Sequence, residues 1–96
     1  MSPAEHLAVP YIVTMEAVQE PGGGWVCRAA HPELPDVTAE HLWATVALEQ
    51  LETLRVAYIL ESLDRGLAVT VPRPPLASRI SEFEALLNQQ PSLNRT

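Results

Sequence analysis

The chain has 96 residues, 47% of them apolar and 19% charged, with twelve acids against six arginines, no lysine and a net charge of −6. This is one domain's worth of globular chain, and its acidic balance excludes duplex DNA or RNA as the main target, because phosphates need a basic face. No run of 18 apolar residues offers a membrane span, MSPAEHLAVP lacks the basic and apolar regions of a signal peptide, and a lone cysteine, Cys27, points to a reducing, cytoplasmic setting.

Pro10 to Val18 alternates and is dense in β-branched residues, which predicts a strand. QEPGGG then breaks the pattern, and WVCRAAH resumes it with Trp25, Cys27 and Ala29 on one face. Two strands joined by a Gly-rich loop of about five residues form a β-hairpin. A phosphate-binding loop would need a helix directly after the glycines, and a strand follows them.

HPELPDVTAEH, His31 to His41, looks like an active site because it gathers two histidines with Glu33 and Asp36. Pro32 and Pro35 make it a stiff corner instead, since each removes a backbone N–H and restricts the residue before it. The segment from Asp36 to Glu40 fits a further brief strand. From about Leu42 to Arg65 the spacing turns helical, with Ala44, Ala47, Leu48, Leu51, Leu54 and Tyr58 in one stripe. Thr38 or Thr45 is the candidate N-cap, and Gly66 after Arg65 is the stop. A second ridge of Leu42, Val46, Val56, Ala57, Leu60 and Leu63 leaves apolar surface for another chain, and Glu49, Glu52, Glu61 and Asp64 lie between the ridges.

LAVTV, Leu67 to Val71, alternates again as a returning strand, ended by Pro72, Pro74 and Pro75. Ile80, Phe83, Leu86 and Leu87 mark a tail helix capped at Ser78, or at Ser81 with Glu84 as a capping box. SLNRT after Pro91 is expected to fray. The fold class is α+β: an antiparallel sheet of three to four strands with one long helix on one face, ordered β-β-β-α-β, plus a short C-terminal helix. Residues 1–75 form the domain and 76–96 the tail. Tyr11, Val13, Ala29, Leu48, Leu51 and Leu54 are expected to be buried.

Taken in order, these features resemble the HicB-like antitoxin domain of bacterial type II toxin–antitoxin systems. The resemblance rests on Gly23-Gly24-Trp25 at the hairpin, Pro32-Glu33-Leu34-Pro35 at the corner, the helix stop at Gly66, and the spaced Pro72 and Pro74. It covers about residues 10 to 75. It departs where the family has glycine and this chain has Asp36, and where the family has Gly-Asp-Thr and this chain has His41-Leu42-Trp43. The resemblance implies a partial ribonuclease-H-like fold without nuclease metal ligands. It also implies an antitoxin's role, in which the protein binds and blocks a small basic mRNA-cleaving toxin. The DNA-binding domain that many members carry after this region is not expected in the roughly twenty residues after Pro75, which suit one helix and not a pair.

The expected partners are therefore a basic ribonuclease toxin and a second copy of the chain, in a homodimer or larger assembly, with no direct DNA binding and no membrane. Candidate contact residues are Glu49, Glu52, Val56, Leu60, Leu63, Phe83, Leu86 and Leu87, with Phe83 and Leu86 foremost for self-association; Gly23, Gly24, Pro32, Pro35 and Gly66 are structural. The corner lacks a nucleophile, so no catalytic residues are assigned. Cys27, His31 and His41 match no compact zinc spacing, so no metal or cofactor is assigned. Two other readings stand beside this one. The first is a stand-alone oligomeric module with an unknown protein-interaction role. The second is a small metal-dependent hydrolase, for which the strands offer only Glu16 and Glu20 as inward carboxylates.

Overall fold

The computed structural model describes residues 1–89. The expectation for the segment after Pro91 lies outside them. The elements are α1 (Pro3–Leu7), β1 (Thr14–Gln19), β2 (Trp25–Ala30), β3 (Thr38–His41), α2 (Ala44–Asp64) and α3 (Ala77–Asn88). Contacts gather Tyr11–Thr70 into one compact unit, and Met1–Pro10 with the described residues from Val71 into a second.

In the Tyr11–Thr70 unit the sheet is antiparallel and ordered β1-β2-β3. The hairpin turns as the glycines require. The Gly23 N–H donates to the Glu20 carbonyl at 2.9 Å, the Glu20 N–H donates to the Gly24 carbonyl at 2.7 Å, and Gly23 adopts φ +93°. Only glycine takes that conformation without strain. Register sorts the two faces. Met15, Ala29 and Ala39 lie abreast on one, and Glu16, Arg28 and Glu40 lie abreast on the other. The second face is polar and laced across the strands, with Arg28 reaching Glu40 at 2.6 Å and Glu16 at 3.8 Å. The first face takes α2, which packs over β2 and β3 and buries Ala29 and Ala39. On β1 the same face stays exposed at Met15 and Ala17.

The end of α2 follows its sequence signal. Gly66 takes φ +71°, its N–H donates to the Leu63 carbonyl at 3.1 Å, and the Leu67 N–H donates to the Ser62 carbonyl at 2.8 Å. These two bonds are the Schellman pair. The start at Ala44 lies two residues beyond the expected Leu42, and neither threonine caps it. Trp43 is the N-cap residue and makes no side-chain cap bond; its own N–H donates to His41 Nδ1 at 3.0 Å.

In the second unit α1 packs on α3. Ser2 and Glu5 form a complete capping box, and Pro3 occupies the first turn of α1. The Leu76 N–H donates to the Ala8 carbonyl at 2.9 Å, and Arg73 donates to the Pro10 carbonyl at 3.2 Å. Phe83 is buried, with the Arg79 guanidinium 5.2 Å from its ring centroid.

Several expectations are corrected. Leu67–Val71 is not a strand, so the sheet has three strands and the last β of β-β-β-α-β is missing among the described residues. Its apolar alternation supplies propensity only; in the structure the Tyr11 hydroxyl donates to the Thr70 carbonyl at 2.6 Å. Helix α3 begins after Leu76 with no side-chain cap, and Ser78 and Ser81 lie inside it. Tyr11, Ala29 and Leu51 are buried as expected, whereas Val13, Leu48 and Leu54 are 50%, 42% and 45% exposed. The buried stripe of α2 is Ala47, Leu51, Arg55, Ile59 and Ser62. An arginine and a serine stand where an apolar pattern places solvent.

Candidate functional site

The corner from His31 to His41 is built by its backbone. The Leu34 N–H donates to the His31 carbonyl and the Val37 N–H to the Leu34 carbonyl, both at 2.9 Å, and Leu34 and Val37 are buried. Continuing the β1–β2 register sets Ile12 opposite Pro32, which has no N–H to donate. His31 supplies the missing donor and Glu33 an acceptor. His31 Nδ1 donates to the Ile12 carbonyl at 2.9 Å, and the Ile12 N–H donates to Glu33 Oε1 at 2.9 Å. Because a carbonyl only accepts, the His31 proton sits on Nδ1. Its Nε2 is left buried with no hydrogen-bond partner. These residue types look catalytic in sequence and serve here as a bracket for β1.

His41 is committed locally too, through Nδ1, and Cys27 is half-buried with its Sγ 3.8 Å from the Leu42 carbonyl. Among the described residues no three His, Cys, Asp or Glu side chains gather in a way that could hold a metal ion. No helix there is long and apolar enough to cross a membrane.

The expected contact residues divide by place. Glu49 is exposed and lines a groove of about 410 Å³ between β3 and α2, with Ala39, Val46, Gln50, Thr53 and Leu54. Glu61 and Asp64 are exposed further along α2, while Val56, Leu60 and Leu63 are half-buried. Glu52 is different: its carboxylate holds Arg55 at two points, Nε to Oε1 at 3.0 Å and a terminal guanidinium nitrogen to Oε2 at 2.8 Å. Arg55 is buried, so this acid is part of the framework. Near the same guanidinium, burial raises the Tyr11 phenol above its ordinary 10.0; Arg55 opposes the rise, and Glu33 and Tyr58 add to it.

A comparison with protein-family models, curated proteins and solved structures finds no match to this chain. The site therefore stands on its own geometry.

In the other unit Leu86 is exposed, Leu87 is half-buried and Phe83 is core. Phe83 is thus not an open contact residue in the single chain. The structural glycines and prolines sit at the hairpin, the corner and the α2 stop. Sequence reasoning missed the two tryptophans as surface: Trp25 is 59% exposed and Trp43 68%, with Leu42 beside it. Large aromatics default to the core. The one signal against that was position, since Trp25 opens β2 at the glycine turn and Trp43 stands at the junction of β3 and α2.

Proposed function

We propose that this protein is a non-catalytic binding module that engages a basic protein through the groove between β3 and α2. The observation that carries the reading is the make-up of that groove. Val46 and Leu54 offer apolar anchors over the buried Ala39, and Glu49 stands on its wall. Asp36 to Asp64 hold six acids against one arginine. Of these, Glu52 pairs with Arg55 inside the unit, Glu40 with Arg28 and Glu61 with Arg65, which leaves Asp36, Glu49 and Asp64 outside these pairs. Opposite charge speeds encounter and orients the partner, and a few apolar anchors supply most of the holding energy. An antitoxin of the HicB type is the specific form this takes, its partner a small basic mRNA-cleaving toxin.

The test is whether a small basic reading frame adjoins this gene and, with its product, RNA cleavage with and without this chain in excess; no such frame rejects the antitoxin form. Protection of the RNA, slowed about tenfold in onset by Glu49→Lys at unchanged thermal stability, is expected. Neither binding nor protection by the wild-type chain rejects the antitoxin form and leaves the stand-alone module.

A further inference from the structure

Strand β1 is an edge whose open side is unusually plain. Its even residues face β2: Ile12 is bonded on that side by Glu33 and His31, and the Glu20 N–H reaches Gly24 across the same gap. Antiparallel ladders alternate, so Val13, Met15 and Ala17 turn their N–H and C=O groups to the outer edge. No strand among the described residues pairs there. The side chains of these three residues share the face that carries Ala29, beyond the cover of α2, and all three are exposed. Natural edges are usually blunted by lysine, proline or an inward charge. Thr14–Gln19 has no lysine and no proline, and its one charge, Glu16, lies on the opposite face beside Arg28.

We propose that β1 is a homodimer seam: two copies pair β1 with β1, antiparallel, about a two-fold axis through Met15, and their sheets become continuous. Charge and apolar pattern select both the occupant and the register. An axis through Glu16 sets carboxylate against carboxylate, which is destabilising. An axis through Ala17 sets Met15 against Gln19 and Thr14 against Glu20. With the axis through Met15, Val13 meets Ala17 and Met15 meets its own copy, so the uncovered face is apolar from Val13 to Ala17. On the polar face Thr14 meets Glu16, hydroxyl against carboxylate, while Arg28 stays beside that carboxylate. Three hydrogen-bonded residue pairs exchange about six main-chain bonds. The seam is self-complementary, as a two-fold interface must be. It is narrow, which places it with weak dimers, dissociating at about 10–100 μM.

The test uses the full chain. Sedimentation from about 5 μM to about 1 mM should show a monomer–dimer equilibrium, and the Met15 and Ala17 amides should gain exchange protection as concentration rises. Met15→Lys places two like charges at the axis and should weaken the dimer about tenfold or more with the circular dichroism unchanged. Cys27→Ser with Met15→Cys should form a covalent dimer under mild oxidation, since Cα atoms of a hydrogen-bonded pair lie about 5.5 Å apart, within disulfide reach. The same background with Val18→Cys should form far less. A monomer at every concentration with fast-exchanging Met15 and Ala17 amides overturns the proposal. Protection of those amides that does not depend on concentration also overturns it, and assigns the edge to the chain's own Leu67–Thr70. A dimer indifferent to Met15→Lys places the seam elsewhere and overturns it equally.

Discussion

Glu52 grips Arg55 from one turn earlier on the same helix, with two oxygens on two guanidinium nitrogens at 3.0 and 2.8 Å, and the arginine side chain is 7% exposed. A long cation lies on the buried stripe of α2 because a neighbouring carboxylate satisfies its geometry as well as its charge. Replacing Glu52 removes an ionic partner from a desolvated group. Glu52→Gln is expected to lower stability by about 1–3 kcal/mol, and Glu52→Lys by more. Glu49→Gln, on the groove wall, is expected to change it by less than about 0.5 kcal/mol. Urea unfolding of the three variants checks this contrast.

Gly66 is held at φ +71° with open space where a Cβ would stand. The cost of Gly66→Ala is therefore backbone strain alone, about 1–2 kcal/mol. Gly22→Ala, also in open space and without a positive φ, is expected to be neutral or slightly stabilising through the unfolded chain. Thermal melts of the pair separate the two effects.

The Tyr11 hydroxyl donates to the Thr70 carbonyl at 2.6 Å, and burial raises its phenol above 10.0. A folded-state value above the unfolded one means the contribution is fully present below about pH 10 and is lost as pH rises through the folded value. The chain has no lysine to titrate in the same range. Tyr11→Phe is expected to cost about 0.5–1.5 kcal/mol at neutral pH and to flatten the fall in stability above about pH 10. Urea titrations at about pH 8 and about pH 11 measure both parts; an equally steep fall in the variant contradicts the assignment.

Glu5 accepts the Ser2 N–H and is lowered below its ordinary 4.5, chiefly by that backbone bond and next by the Ser2 hydroxyl. A depressed folded-state value means its support for α1 is present above the unfolded value and lost as pH falls through the folded one. Acidification should therefore fray α1 in the wild type, and Glu5→Gln should remove most of that dependence. The Ser2 amide shift, followed by NMR from about pH 7 to about pH 2.5, reports it directly.

What the sequence determined by itself was whatever depends on a few consecutive residues. The three glycines dictate a hairpin because the turn needs a positive φ, met at Gly23. Gly66 stops α2 for the same steric reason, and the apolar content from Ala44 to Asp64 commits a single helix. Helix α1 and its Ser2–Glu5 capping box were not among the expected elements, because five residues are too few for periodicity to register. The tertiary structure decided what depends on partners distant in sequence. A helix with two apolar ridges can bury either face, and α2 turned Arg55 and Ser62 inward because Glu52 could satisfy the arginine while β2 and β3 took the stripe around Ala47 and Leu51. Leu67–Val71 carries strand propensity, yet it pairs with no strand among the described residues although the β1 edge is open, and Thr70 gives its carbonyl to the Tyr11 hydroxyl. His31 and Glu33 have the chemistry of a catalytic pair. His31 supplies Ile12 with the donor that Pro32 lacks, and Glu33 accepts the Ile12 N–H beside it. Local sterics can be read along the chain, whereas the satisfaction of a buried polar group is settled only by what folds against it.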